Sequence, residues 1–137
     1  KSLPHEESSG IPLIVRVPQS SSGCATDALV SGVDFFPTCL DWAGLPPESW
    51  LPGNNFAPLL RGENLELSGP VFSELPGWKM VREGNYKLVA EGSEFNPTQL
   101  YDLACDPYEM QNLIECPEHA ERIAVLRDRI VKWQAMV

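Results

Sequence analysis

The chain has 137 residues, 43% of them hydrophobic, with 19 acidic side chains against 10 basic ones and a formal net charge of −9. That is about one domain's length with enough apolar content for a packed core, and the acidic balance excludes nucleic acid and an anionic membrane surface as partners, because both need Lys and Arg to neutralise phosphate. No apolar run approaches the length that spans a bilayer, and the opening residues Lys1 to Glu7 lack the apolar middle of a signal peptide. Without an initiator Met, the chain is expected to be cut from something longer.

In chain order, Ile11 to Val17 is nearly continuously apolar and predicts a strand buried on both faces, as in a parallel sheet. The serine-rich stretch Gln19 to Gly23 reads as a loop. Asp34 is placed to cap a helix carrying Phe35, Phe36, Cys39, Leu40 and Trp42, closed by Gly44, whose apolar residues nearly encircle it and predict burial under other structure. Leu45 to Gly62 is rich in proline and glycine and predicts a long ordered loop with one helical turn. Val71 to Glu74, Lys79 to Arg82, Tyr86 to Ala90 and Gln99 to Tyr101 are short strands joined by short turns, hence an antiparallel sheet of about four strands. Pro117 to Met136 sets Ala120, Ile123, Leu126, Ile130 and Trp133 at spacings of three and four, a long amphipathic helix that packs on that sheet.

The four cysteines, Cys24, Cys39, Cys105 and Cys116, show no C-x-x-C pair and no zinc spacing, so no metal site is expected from them. Cys105 and Cys116 bracket a turn and could pair in an oxidising compartment, but all four cysteines are expected to be reduced, Cys39 as a buried free thiol, and no compartment is inferred. Asp106, Pro107 and Glu109 have the spacing of an N-cap, a first helical position and a capping box, which predicts helix punctuation. Arg82 and Lys87 are expected as exposed face charges, Glu6 and Glu7 as structural acceptors, and His119 as incidental.

The segment Met80 to Leu88 resembles the "R-x-G-x-Y-K-L" hairpin of the sulfatases, and Leu100 to Leu113 resembles their "L-Y-D-L-x-x-D-P-x-E-x-x-N-L" signature. Ile11 to Arg16, Val33 to Gly44 and Gly53 to Gly62 resemble, in order, the strand, helix and loop that precede it in that family. One departure is Gly10, where the family usually has Arg. The resemblance implies an α+β fold: the C-terminal fragment of an α/β sulfatase, with residues 1–65 supplying the last strand, helix and loop of the core domain and residues 66–137 forming the antiparallel-sheet subdomain with its terminal helix. It implies a sulfuric ester hydrolase as the full-length parent, acting on a sulfated small molecule or glycan with formylglycine and calcium. The "C-x-P-x-R" motif that yields formylglycine does not occur here, so nucleophile and metal ligands are expected upstream and no cofactor in this segment.

Within the chain, Lys1 followed by Glu6 and Pro12 is similar to the family's "G-K-x-x-x-[YF]-E…P" approach, which implies a catalytic Lys1 contacting sulfate and stabilising the charge that develops as the ester oxygen leaves. His5 stands where the family more often has an aromatic and is the candidate substrate-binding residue, weighed against a plain, partly exposed loop histidine. Two other classes stay open: a phosphoester or phosphonate hydrolase of the same superfamily, and a noncatalytic interaction module with the same fold. The isolated piece is expected to dimerise or to leave its first residues poorly ordered, and by itself neither to bind calcium tightly nor to hydrolyse an aryl sulfate.

Overall fold

A computed structural model describes residues 3–18, 23, 25–63, 67 and 69–136. The chain divides into two compact units, Lys1–Pro12 with Pro70–Val137, and Leu13–Gly69. The sequence-based division at residue 65 assigned the first twelve residues to the earlier part of the chain; in the fold they cluster with the later part.

The larger unit is an antiparallel meander, β1 (Val71–Leu75), β2 (Trp78–Glu83), β3 (Tyr86–Glu91) and β4 (Asn96–Asp102), in spatial order β1-β2-β3-β4. Its turns follow from residue chemistry. Pro76-Gly77 joins β1 to β2 with Gly77 at φ 104°, and Gly84-Asn85 joins β2 to β3 with Gly84 at φ 58°, a backbone region where glycine carries no Cβ penalty. Register pairs Val81 with Leu88 and Leu88 with Leu100, so these three share one face. The helix α4 (Ala120–Gln134) covers that face after a 3₁₀ turn at Pro117–His119. Leu126 and Ile130 join Val81, Leu88, Ala90 and Leu100 in the core, and Trp133 stacks on Phe72 with ring centroids 4.8 Å apart. The expected sheet and helix are thus both present, with Ala120 alone of the stripe exposed.

The free edge of β4 is covered by a side chain. Asn112 Oδ1 accepts from the Leu100 amide at 2.9 Å and Asn112 Nδ2 donates to the Thr98 carbonyl at 3.0 Å, while the Leu113 amide donates to the Leu100 carbonyl at 2.8 Å. The amide group of Asn112 stands in for a neighbouring strand, and the Asn of the signature thereby has a structural purpose. Pro97 sits on this same edge strand, where a missing N–H is tolerated.

A short helix α1 (Glu6–Ser9) belongs to this unit. In the other unit, a 3₁₀ turn at Gly32–Asp34 leads into α2 (Phe35–Trp42), and α3 (Ala57–Leu60) is the single turn expected in the long loop. Asp34 is buried, but its carboxylate does not cap α2: Oδ2 accepts from the Ser31 amide and Oδ1 from the Asn54 amide, each at 2.7 Å. Thr38 Oγ1 accepts from the Phe56 amide at 3.0 Å and donates to the Asp34 carbonyl at 2.7 Å. These bonds draw the 53–56 loop so close that a Cβ on Gly53 would lie 2.2 Å from the Val33 carbonyl oxygen, which explains a glycine there.

Three expectations are corrected in this region. Ile11 to Val17 forms no strand, because nothing in the described chain offers it a ladder. Cys39 is a free thiol but exposed. The apolar girdle of α2 is not buried: Phe35, Phe36 and Trp42 are all exposed. Cys105 and Cys116 are free, in line with the expectation of reduced cysteines.

Candidate functional site

The side chains of β3 alternate between two faces, and the face opposite α4 carries Lys87. Arg82 on β2 lies directly across from it, a like-charge pair that would by itself be destabilising. Acidic groups from two distant segments resolve this. Glu6 on α1 places Oε1 3.0 Å from Lys87 Nζ and Oε2 3.0 Å from Arg82 Nη1, so one carboxylate bridges both cations. Glu109 places Oε1 2.7 Å from Lys87 Nζ. Ser9 Oγ accepts from the same ammonium at 3.3 Å.

Lys87, its side chain 0% exposed, donates to Glu6 Oε1 and Ser9 Oγ and is ion-paired with Glu109 Oε1, which lies close without hydrogen-bond geometry. The other carboxylate oxygen of Glu109, whose side chain is 1% exposed, accepts from the Glu6 backbone amide at 2.6 Å and lies 3.3 Å from His5 Nδ1. Burial of charges this deep is tolerated only when each is paired and hydrogen-bonded. Tyr101, beside Lys87 in the register, has its phenol pushed above the usual range, first by burial and then by the nearby charges of Glu109 and Asp106.

How Glu109 reaches this position overturns two expectations. Residues 106–113 form no helix; Asp106 Oδ2 accepts from the Gln111 amide at 2.8 Å and holds a loop in which Glu109 has φ 55°. A non-glycine residue in that left-handed region is uncommon and is held there by its surroundings. Backbone amides of Gln111, Met110 and Tyr108 in turn hold the Asp106 carboxyl below its usual range. Lys87 is the most deeply buried of the cations rather than a face charge, and Arg82 is engaged rather than free. Glu6 is a structural acceptor as expected, and Glu7 is exposed.

Of the two candidate residues, Lys1 lies outside the described residues. His5 is described: it precedes α1, its side chain is 35% exposed, and its ring centroid is 6.3 Å from that of Tyr101. His119 lies 3.8 Å from Glu118 and 6.0 Å from the Tyr86 ring, whose other neighbour is the Arg122 guanidinium at 3.8 Å. Among the described residues no group of three His, Cys, Asp or Glu side chains could hold a metal ion, and no Cys begins a C-x-P-x-R motif. The described residues therefore do not fit calcium, and the sequence does not fit formylglycine.

Sequence reasoning missed the Lys87, Glu109 and Glu6 cluster. One signal was available: Tyr86 to Ala90 is apolar on both faces, which implies a strand covered on both sides and thus a buried Lys87.

Residues 1–136 match the family model described as N-sulphoglucosamine sulphohydrolase, C-terminal. Arylsulfatase K of Danio rerio is 34% identical over 96% of this chain and 27% of its own length. The N-acetylglucosamine-6-O-sulfatase of Bacteroides thetaiotaomicron is 27% identical over 89% of this chain and 24% of its own length. A solved phosphonate monoester hydrolase from Silicibacter pomeroyi superposes with a TM-score of 0.71 at 23% identity, covering 88% of this chain and 28% of that one, a likeness of fold alone. The chain spans about a quarter of the length of the curated relatives it matches.

Proposed function

Because the chain belongs to the N-sulphoglucosamine sulphohydrolase C-terminal family, we propose that it is the closing segment of a sulfuric ester hydrolase whose nucleophile and metal ligands lie in upstream sequence. The observation that supports this best is the extent of the match, which runs from residue 1 to residue 136 and so takes in the Lys1 to Pro12 approach as well as the hairpin and signature. In this reading the Leu13–Gly69 unit completes the parent's core α/β domain, and Pro70–Val137, with the Lys1–Pro12 segment grouped beside it, walls the substrate cleft. Lys1 sets an ammonium beside the sulfate, where a preorganised cation contributes a few kcal/mol, roughly 3, to stabilising developing charge. His5, one ring nitrogen turned to Glu109 and the ring partly open to solvent, lines the approach for the rest of the substrate. The substrate class is a sulfated glycan, on the analogy of the named glucosamine sulfatases, and calcium and formylglycine belong to the parent.

The test is sulfate release by the full-length protein from a sulfated glucosamine and an aryl sulfate, alongside an aryl phosphonate monoester. Release of sulfate is the expected result. Cleavage of the phosphonate alone would transfer the reading to the phosphonate hydrolases, and no turnover by a well-folded protein would leave a noncatalytic module. The 137-residue piece alone is expected to release no sulfate and to bind calcium only weakly in a titration.

A further inference from the structure

We infer that Lys87 and Glu109 are positioning residues: together they clamp the Pro4 to Gly10 segment onto the sheet and so fix the approach by which the N-terminal residues meet the substrate. The inference rests on the sulfatase reading for its second half only.

Four observations converge on it. The two buried charges have nearly all their partners on that segment: both acceptors of Lys87 Nζ, Glu6 Oε1 and Ser9 Oγ, belong to it, and both groups facing Glu109 Oε2, the Glu6 amide and His5 Nδ1, belong to it as well. Glu109 and Glu6 are 103 residues apart in sequence, so the contact ties the two ends of the unit together. The loop that presents Glu109 holds a non-glycine residue at φ 55°, a conformation the Asp106 turn enforces and that local propensity alone would not choose. Finally, the segment is shaped to receive the clamp. A Cβ on Gly10 would lie 2.8 Å from the Glu6 carbonyl oxygen and 3.1 Å from Glu6 Oε2, so glycine at this position leaves the Glu6 carboxylate free to turn toward Arg82 and Lys87.

A merely stabilising ion pair can be exchanged for apolar side chains with little loss, since desolvation offsets most of the attraction. A clamp cannot, because the exchange removes the acceptor for the Glu6 amide and the ammonium that donates to Glu6 Oε1 and Ser9 Oγ on α1. The experiment therefore uses the full-length protein with three variants. Glu109→Gln removes the charge and keeps the shape. Lys87→Met leaves Glu109 unpaired, and the double variant Lys87→Met with Glu109→Met replaces the pair by apolar chains of similar length.

The double variant is expected to recover most of the melting temperature lost by Lys87→Met while kcat for sulfate release stays at least tenfold below wild type and KM changes less than threefold. Wild-type kcat in the double variant would overturn the positioning role. Peptide-level hydrogen exchange supplies a second readout that needs no activity and no double variant. In Glu109→Gln the amides of residues 5–10 should exchange at least tenfold faster while those of Val89 and Leu100 keep their protection. Unchanged exchange at residues 5–10, or an equal rise throughout the sheet, would overturn the clamp. If the wild type releases no sulfate, the functional reading fails on its own, and the exchange arm still decides whether the segment is clamped.

Discussion

At the scale of single residues, the arrangement around Lys87 shows how far a pattern of spacing can mislead. Asp106 and Glu109 stand three apart like a capping box, and a capping box would have placed Glu109 at a solvent-facing helix start. The structure uses the same two residues otherwise: Asp106 ties a turn, and the turn swings Glu109 inward. Removing one member of a buried ion pair leaves the other uncompensated, so Lys87→Met is expected to destabilise the unit by about 3–5 kcal/mol, read from the midpoint of urea unfolding. Asp106 gives a pH signature. Its native carboxyl releases its proton more readily than the unfolded one, so its contribution is complete above the ordinary value of 3.8 and is lost as pH falls through the lower native value. Asp106→Asn keeps an acceptor for the Gln111 amide but no charge. The stability gap between wild type and this variant should therefore narrow as pH drops below about 4, as followed by thermal melts across pH 2–6; a gap that widens in acid would contradict this.

At the scale of elements, what could be read from the sequence was whatever local periodicity and turn chemistry decide. Gly84-Asn85 between two apolar runs announces a hairpin, and the three-and-four spacing from Ile123 to Trp133 announces α4, because in both cases the element's own residues create the signal. Ile11 to Val17 carried a strand signal just as strong and forms none, since a strand exists only through its neighbours and the described chain provides none. The inward position of Glu109 was hidden for the same reason: its partner Glu6 is far away in sequence, and nothing local marks the two as a pair. Asn112 lies between these cases. The motif displays it, but only the structure shows it bonding along β4 on one side and to the Ile114 amide at 3.1 Å on the other. Asn112→Ala leaves the Leu100 amide without an acceptor at a half-covered edge and is expected to cost about 1–3 kcal/mol. Hydrogen exchange at Leu100 should quicken correspondingly, and a protected Leu100 amide in the variant would show that the edge has another cover.

At the scale of the whole molecule, the two units differ in how well they satisfy themselves. The sheet unit buries its apolar faces under α4 on one side and supplies the ion cluster on the other, with Val81, Leu88, Leu100 and Ile130 all 0% exposed. The unit from Leu13 to Gly69 has an ordered polar interior around Asp34 and Thr38 yet leaves Ile14 92% and Trp50 71% exposed, together with Phe35, Phe36 and Trp42. Large apolar side chains left open to solvent in this number are the kind of surface a partner covers. On the proposed reading of a closing segment, upstream sequence is the natural cover; in the isolated chain these side chains are expected to drive self-association. Sedimentation of the 137-residue piece should then show a concentration-dependent dimer or larger species. Paired substitution of Ile14→Lys and Trp50→Lys, both largely exposed, should shift it toward monomer without lowering helix content. A wild-type piece that sediments as a monomer at high concentration would mean that these apolar side chains need no cover, and the idea that they await upstream sequence would lose its physical basis.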